Sequence, residues 1–310
     1  MVRPLERKPP VPRSAPPLRL LAMVALVAIV GAVGVSVAGR AMAAPEVAAD
    51  RAARPAAARA MWVWDTSNPQ AVVSLATARG IGQLYAAVPP HVDSSPKLAE
   101  LQQLVALADA AGLRVDALGG DPGWVHNPAW VTASWMEPAL ATGLFTGVHV
   151  DIEPYTTAAW TKNRKAVIKK YLATLDALHA AAGGAPVEAD IPFWFDEIPA
   201  NSSTLDREII RRTEAVTVMA YRNRAAGPDG TIALASAEVA AGAELGRPVR
   251  VGQETNFLGA DPTEVKQTFH GLTLTQMEGQ LTLVRDAFAG SPAFAGLAIH
   301  DSLGYAGITG

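Results

Sequence analysis

The chain has 310 residues, of which 50% are hydrophobic, and this is enough to build a large globular core. Its formal net charge is only -3, which excludes the basic surplus of a protein that binds nucleic acid. No Cys is present, and this excludes disulfide bonds and metal sites built on thiolates.

The first 43 residues have the pattern of an export signal. Five basic side chains precede an uncharged apolar run of 19 residues, and Ala41-Met42-Ala43 offers a cleavage site before Ala44. A run of this length can also span a bilayer, so an uncleaved signal anchor is the alternative and would be the only membrane contact. Residues 44–59, rich in Ala, are expected to form a disordered linker. Either alternative predicts that residues 60–310 are secreted or held at the cell surface.

Residues 60–310 alternate between strand-like and helix-like segments. The strand patterns cover residues 60–65, 81–88, 113–118, 145–155, 186–194, 215–221, 249–255 and 296–301. The helical patterns between them cover residues 71–79, 97–111, 129–141, 160–182, 203–212, 232–245 and 274–288. Eight strands alternating with helices predict a single (β/α)8 barrel, the TIM barrel, with a doubly wound open sheet as the alternative.

The fourth strand pattern divides into an apolar face and an ionisable face. Its ionisable face carries His149, Asp151 and Glu153, which are costly on a core strand unless they are paired or used. Active sites of (β/α)8 barrels lie at the C-terminal ends of the strands, so this segment predicts a site there. Further side chains at strand ends are expected to bind substrate or line the cleft: Trp64, Asp65, Asp190, Trp194, Tyr221, Glu254, His300 and Asp301.

The pair Asp151 and Glu153 has the spacing of an acid/base site. One carboxylate opposes ionisation of the other when both lie on one strand face, and the protonated member can act as a general acid. Glycoside cleavage needs such an acid to protonate the leaving oxygen. The alternative is a structural pair that accepts hydrogen bonds from loop amides.

The same stretch resembles the chitinase-like glycoside hydrolase family 18. That family's fourth-strand signature, D-G-x-D-x-D-x-E after an aromatic or aliphatic residue, is matched by Phe145, Gly147, Asp151 and Glu153. Thr146 and His149 stand in place of the first two Asp residues of the signature, and the match is therefore partial.

Two further segments are similar to the same family. Residues 113–120 resemble its third-strand S-x-G-G region, and residues 218–221 resemble its sixth-strand M-x-Y-D motif, with Arg222 in place of the Asp. His300 stands where that family has an eighth-strand Trp that floors the cleavage subsite. Strand order and spacing extend the resemblance over residues 60–302.

The resemblance implies a substrate-assisted mechanism. Glu153 would be the acid/base, and Asp151 would orient a substrate acetamido group whose carbonyl attacks the anomeric carbon. Tyr221 would hydrogen-bond the resulting oxazolinium. No cofactor is implied.

Glu254 offers a competing mechanism. An acid at the end of strand four and a carboxylate at the end of strand seven also resemble retaining barrel glycosidases in which the second carboxylate attacks directly, with the pair about 5–5.5 Å apart. Ile152 precedes Glu153 where that clan has Asn. The structural alternative for Glu254 is a salt bridge to Arg247 or Arg250.

His149 could instead join Asp151 and Glu153 as a metal ligand. A hydrogen bond from His149 to Asp151 or to a neighbouring strand end is preferred, so no metal site is predicted. Trp64, Trp124 and Trp194 lie at strand ends or in the loops after them, and their flat faces suit sugar rings. Core or helix packing is expected for Trp130, Trp135 and Trp160, and residues 256–271 are expected to form a lid beside the site.

These patterns predict an exported, monomeric, retaining glycoside hydrolase whose substrate is a polysaccharide or a cell-surface glycan. Two alternatives remain open. The first is a catalytically inactive barrel that binds carbohydrate, which the replacements at Thr146, His149 and Arg222 favour and the retained acid pair opposes. The second is a metal-dependent phosphodiesterase.

Overall fold

A computed structural model describes residues 59–310, so the predicted signal segment and linker up to residue 58 lie outside the described residues. Eight parallel strands close into a barrel, and each pairs with its neighbour in chain order until the last pairs with the first. The strands are β1 Arg59–Val63, β2 Gln83–Ala87, β3 Arg114–Gly119, β4 Val148–Val150, β5 Val187–Pro192, β6 Ala215–Met219, β7 Val249–Glu254 and β8 Phe294–His300. The predicted (β/α)8 fold is confirmed, and β1 begins one residue before the expected domain boundary.

Helices surround the barrel and connect successive strands. The α-helices of five or more residues are α1 Pro69–Ala78, α2 Lys97–Ala110, α3 Glu137–Ala141, α4 Ala158–Ala181, α5 Leu205–Ile210, α6 Thr231–Leu245, α7 Leu274–Phe288 and α8 Ser302–Gly307. A four-residue helix, Pro262–Val265, lies in the segment expected to form a lid. α4 is kinked at Asn163, which has φ −153° and ψ 67°. None of the helices among residues 59–310 is both long and apolar enough to cross a bilayer.

Local sequence explains where several helices begin. Asn68 caps α1 by accepting from the N–H of Ala71, and Thr157 caps α4 in the same way. At α7 the side chains of Thr273 and Gln276 each bond the other's backbone N–H, which forms a capping box. These caps satisfy N–H groups that have no partner within the helix, and they fix the point at which each connection turns back along the sheet.

Three local predictions need correction. The helix expected over residues 129–141 is broken into Pro128–Trp130, the π-helical turn Val131–Met136 and α3, next to Pro138, which cannot donate a backbone hydrogen bond. The helix expected over residues 203–212 is shorter, because the two-residue strands Pro199–Ala200 and Ser203–Thr204 form a hairpin before it. Trp135 and Trp160 are buried as expected, whereas Trp130 is 38% exposed.

The apolar core lies between the barrel and its helices. On β4 the side chains of Val148 and Val150, and beyond it Ile152, belong to this core, which confirms the apolar face predicted for that segment. The space inside the barrel is different. Its apolar cluster is small, and most of the other inward positions are polar or charged; the cluster comprises Ala60, Trp62, Tyr85, Leu118 and Ala298.

Candidate active site

The fourth strand brings Asp151 and Glu153 to the C-terminal mouth of the barrel. β4 ends at Val150, and the N–H of Asp151 still donates to the carbonyl of Gly119 at 3.0 Å. The chain then leaves the sheet, since Glu153 has φ −109° and ψ 68° and Pro154 begins a helical turn. Both carboxylate side chains are half-buried, so they lie at the rim and not within the closed core.

Tyr155 contacts Glu153 directly. Its hydroxyl donates a hydrogen bond to Glu153 Oε1. Burial, reinforced by the charge of Asp151, raises the pKa of Tyr155 well above its ordinary value, so the phenol keeps its proton and acts as the donor. The ring of Tyr155 packs edge-on against Trp194 with centroids 5.1 Å apart. Trp194, predicted to bind sugar, therefore also supports the side chain that holds Glu153.

The Gly119-Gly120 pair explains how β3 and β4 approach each other at this point. A Cβ on Gly120 would lie 2.0 Å from the carbonyl oxygen of Asp151, and one on Gly119 would lie 2.4 Å from the indole of Trp135. Neither position has room for a side chain. Gly120 therefore allows the backbone of Asp151 to lie directly against the end of β3, and Gly119 leaves room for the indole of Trp135.

Glu254 ends β7 on another side of the mouth, and it is 4% exposed. Its Oε1 accepts from the two backbone N–H groups that follow it and from the side chain of Asn256, over 2.7–3.0 Å. Its Oε2 lies 2.9 Å from His300 Nδ1. Burial alone would raise the pKa of Glu254, but His300 and these N–H donors lower it below its ordinary value. The partner of Glu254 is thus His300, and not Arg247 or Arg250.

His300 links Glu254 to Trp64. The indole N–H of Trp64 donates to His300 Nε2 at 3.0 Å, and the indole is 37% exposed at the mouth. This bond needs a lone pair on Nε2, which places the imidazole proton on Nδ1, towards Glu254. Burial would lower the pKa of His300, but Glu254 raises it to about 9. The bond from Trp64 therefore belongs to the neutral ring that prevails above that pH.

Tyr221 follows β6 at the mouth and lies beside His300 at the end of β8. Its ring centroid lies 6.1 Å from that of His300. Burial raises the pKa of Tyr221 well above its ordinary value, and the charges of Glu254, Asp190 and Asp151 raise it further.

His149 and Asp190 lie beneath this mouth, with exposures of 0% and 2%. His149 Nε2 is 2.8 Å from Asp190 Oδ1, and Asp190 Oδ2 accepts from the indole of Trp62 at 2.9 Å. The imidazole stacks on Tyr85 with ring centroids 3.6 Å apart. The expected hydrogen bond from His149 to a neighbouring strand is confirmed. Because it is fully buried, His149 can stabilise the mouth only through the residues that lie between it and the mouth.

A closed ionic network fills the interior below. Its members share burial and opposite charge: Arg114, Arg250 and His149 as cations, and Asp116, Glu188 and Asp190 as carboxylates. Burial alone would raise the pKa of Glu188, but Arg250, His149 and Arg114 hold it below its ordinary value. Burial opposes protonation of His149, whereas its two carboxylate neighbours raise its pKa to about 9. Among residues 59–310 no group of three or more His, Asp or Glu side chains is arranged to hold a metal ion.

The other predicted site residues have simpler surroundings. Asp65 is exposed in the loop after β1 and accepts from the N–H of Ser67 at 2.9 Å. Asp301 is buried, caps α8 and accepts from Asn256 Nδ2 at 3.2 Å. Arg222, which replaces the motif Asp, pairs with Asp229 at 2.8 Å.

Sequence reasoning gave no role to Tyr155, Asn256 or Trp62, although each contacts a predicted site residue. Their spacing from the predicted site residues could have identified them. Tyr155 follows Glu153 by two positions, Asn256 follows Glu254 by two, and Trp62 precedes Trp64 by two. Residues two apart on a strand share a face, and extending each alternation by one step would have included all three.

Neither family models nor curated protein sequences gave a match to the chain. Solved structures did give matches. A mutant family 18 chitinase from Cycas revoluta in complex with (GlcNAc)4 has a TM-score of 0.53 at 12% identity, covering 80% of this chain and 96% of that chain. A class V chitinase from Pseudomonas fluorescens Pf-5 has a TM-score of 0.52 at 12% identity, covering 81% of this chain and 96% of that chain.

A GH113 β-1,4-mannanase, solved as a complex, has a TM-score of 0.52 at 10% identity, covering 79% of this chain and 88% of that chain. Identities this low establish the fold alone. The chain has the TIM-barrel fold of these glycoside hydrolases. Since the likeness includes more than one family, it supports the family 18 resemblance at the level of fold only.

Proposed function

We propose that the protein is a retaining glycoside hydrolase that cleaves a polysaccharide or a cell-surface glycan, with Glu153 as general acid/base. The observation that carries the proposal is the position of Asp151 and Glu153. Both are half-buried at the C-terminal end of β4, where Tyr155 binds Glu153. A partly buried carboxyl at this end of a barrel strand, with a second carboxyl two residues before it, is a suitable arrangement for the general acid of glycoside cleavage.

In the first step, protonated Glu153 gives its proton to the glycosidic oxygen as the bond to the anomeric carbon breaks. In the second step, Glu153 takes a proton from the attacking water. The hydroxyl of Tyr155 stabilises the carboxylate form between the two steps, because it donates to Glu153 Oε1. Asp151 and Tyr221 face the positive charge that develops at the sugar ring or at a participating acetamido group.

The contacts of Glu254 favour substrate assistance over direct displacement. Three N–H groups already donate to its Oε1, and Oε2 faces His300. A carboxylate whose two oxygens are both engaged is a weaker nucleophile, and it still stabilises positive charge. Glu254 is therefore assigned to charge stabilisation, with attack by Glu254 as the alternative.

The proposed setting is outside the cytoplasm, following the export pattern of the first 43 residues. Chitin and mannan oligomers are suitable first substrates, because the similar structures are chitinases and a β-1,4-mannanase. Chitin carries the acetamido group that substrate assistance needs, whereas mannan lacks it and could be cleaved only by the alternative in which Glu254 attacks. The primary test is hydrolysis of aryl β-N-acetylglucosaminide and β-mannoside oligomers by the wild-type protein and by Glu153→Gln. Glu244→Gln, on the outer face of α6, is the matched control.

We expect turnover by the wild type and by Glu244→Gln, and its loss in Glu153→Gln. Sugar binding without turnover by the wild type would support the inactive carbohydrate-binding barrel and contradict the proposed enzyme. Equal turnover by wild type and Glu153→Gln would remove Glu153 from the mechanism.

A second experiment separates the two mechanisms. Azide can replace a missing carboxylate nucleophile and yields a glycosyl azide of inverted configuration. Under substrate assistance, azide does not rescue Glu254→Ala, and a thiazoline analogue of the oxazolinium inhibits the wild type. Rescue of Glu254→Ala by azide would establish direct displacement instead.

A further inference from the structure

A groove of about 490 Å³ lies beside the candidate active site, and no part of the proposed chemistry uses it. One wall is formed by Asn256, Phe257 and residues 270–273 of the connection after β7. The other is formed by α8 and the residues that follow it, from Leu303 to Thr309. Both walls begin directly after the C-terminal ends of strands, one after β7 and the other after β8, and this is the end of the barrel where Glu153 lies.

The groove exposes apolar side chains to an unusual degree. Phe257 is 63% exposed and Leu303 is 60% exposed, and they are the two most exposed large hydrophobic side chains of the described residues. They come from different segments and line the same groove. The ring of Phe257 is tilted 60° to that of His270, with centroids 5.3 Å apart. Apolar surface gathered in a concave site marks a place where a ligand binds.

The chemistry of the walls indicates a neutral ligand. None of the described residues that line the groove is Asp, Glu, Lys or Arg. Polar groups are present at the edges, including His270 and the hydroxyl groups of Thr273 and Thr309. An exposed ring with hydrogen-bonding groups around it suits a sugar, which has an apolar face and a rim of hydroxyl groups.

Asn256 joins the groove to the active site. Its side chain donates to Glu254 Oε1 at 3.0 Å and to Asp301 Oδ1 at 3.2 Å, and the same residue lines the groove. Gly304 packs so closely against this segment that a Cβ there would lie 2.7 Å from Asn256 Oδ1. Asn256 therefore contacts a carboxylate of the active site and also borders the groove.

We infer that the groove between Phe257 and Leu303 is a remote subsite for sugar units of a neutral polysaccharide, and that it makes the protein select long chains over short ones. The inference rests on the proposed glycosidase function for the identity of the ligand as carbohydrate. Phe257 supplies the stacking platform, and Asn256 lies between the platform and the reaction centre. The subsite determines substrate length and takes no part in bond cleavage.

The test is affinity electrophoresis of the purified Glu153→Gln protein through gels that contain glycol chitin, glucomannan, neutral β-glucan or, as an acidic comparison, polygalacturonate. Phe257→Ala is added to this background, and Leu283→Ala is the matched control, because Leu283 is 49% exposed on α7 and does not line the groove. We expect a neutral polymer to retard the protein. Phe257→Ala should weaken that binding about tenfold, the equivalent of one lost stacking contact, and Leu283→Ala should not change it.

Several results would overturn the subsite. They are no retardation by any neutral polymer, stronger retardation by polygalacturonate, and equal retardation of Phe257→Ala and its parent. Concentration-dependent dimerisation that Phe257→Ala abolishes, with polymer binding unchanged, would assign the groove to a second copy of the chain.

The failures of the two proposals are distinguishable. Retardation that depends on Phe257, without hydrolysis by the wild type, would support the subsite and contradict the enzyme. Hydrolysis of short aryl glycosides that depends on Glu153, with no effect of Phe257→Ala on polymers of any length, would do the reverse.

Discussion

The interior of the barrel and its C-terminal mouth both carry ionisable side chains, but these differ in burial and in ion pairing. In the interior, each charged group lies within ion-pair distance of an opposite charge, and Arg250 and Glu188 are 1% and 3% exposed. At the mouth, Asp151 and Glu153 are half-buried and reachable from outside. Inward position alone therefore does not identify a functional residue.

The difference lies in what each group can still bind. The interior network neutralises its own charges, and exchanging a proton there would break ion pairs that water cannot replace. The carboxylates of the mouth keep one side towards solvent, where a substrate or a proton can arrive. His149 marks the boundary, because Asp190 and Glu188 occupy both its ring nitrogens from neighbouring strand positions.

The largest expected effect is a loss of activity from a substitution at the mouth. Glu153→Gln should lower kcat about 10³-fold, within the range for a lost general acid, and leave the melting temperature unchanged. The loss should shrink for aryl glycosides whose leaving groups need no proton, such as 2,4-dinitrophenyl. Initial rates across a leaving-group series check this. A uniform loss across the series would argue that Glu153 acts other than as the acid.

The second effect is a loss of stability from a substitution in the interior. Arg250→Met leaves Glu188 in a buried site with one cation fewer, so we expect the free energy of unfolding to fall by about 3–5 kcal/mol. The protein that remains folded should keep its turnover. Urea unfolding measures the first quantity and active-site-normalised rates the second. Arg285→Met, at an exposed position on α7, serves as control and should change stability by less than about 0.5 kcal/mol.

If the Arg250→Met protein were stable but inactive, the interior network would take part in the reaction, and the proposed difference between the two regions would be wrong.

Glu238 belongs to neither region and shows what burial does without pairing. It is fully buried on α6, and no basic side chain of residues 59–310 pairs with it. Burial, with smaller effects of Asp196 and Asp206, raises its pKa to about 9. The folded state therefore holds a proton that the unfolded state releases near pH 4.5, and stability falls as pH rises from there through 9.

Glu238→Gln should remove this pH dependence. We expect it to match the wild type near pH 4 and to exceed it by a few kcal/mol near pH 9, since each unit of pKa shift corresponds to about 1.4 kcal/mol. Urea unfolding at pH 4, 7 and 9 is the measurement, and Glu244→Gln on the same helix is the control. Parallel stability curves for Glu238→Gln and the wild type would mean that Glu238 is ionised in the fold.

Alternation and spacing predicted the number and order of the eight strands, because each strand carries its pattern in its own residues. The fourth strand, expected over residues 145–155, is only Val148–Val150. The depth of a residue in the barrel depends instead on which residues pair across strands. His149 and Asp151 share a face, yet His149 is level with Leu118 and Glu188 and is closed off, while Asp151 lies past the last β4 residue. That register is a long-range property and could not be predicted from a segment alone.

The partners of Glu254 show the same limit. Neighbours in the sequence pointed to Arg247 and Arg250 as its cations, and Arg250 instead faces Glu188 and Gln83 inside the barrel. The cation that pairs with Glu254 is His300, from the adjacent strand, at the directly opposed register position. In a parallel sheet the nearest charge across the sheet is tens of residues away in the sequence.

The smallest expected effect concerns the link between His300 and Trp64. Their hydrogen bond requires a neutral imidazole, and the pKa of His300 is raised to about 9, so lowering the pH through that value should release the indole. The difference in fluorescence between the wild type and Trp64→Phe should titrate near pH 9. His300→Phe should abolish that titration and, above pH 9 where the bond is formed, lower kcat/KM about tenfold, as expected for one lost hydrogen bond that orients the indole of Trp64.

Above that pH, adding Trp64→Phe to His300→Phe should cost little more than His300→Phe alone, because His300→Phe has already removed the contact with Trp64. Additive losses would mean that the two side chains act on the substrate separately. In that case His300 would act through Glu254 alone, and the position of the Trp64 indole would not depend on the ion pair between His300 and Glu254.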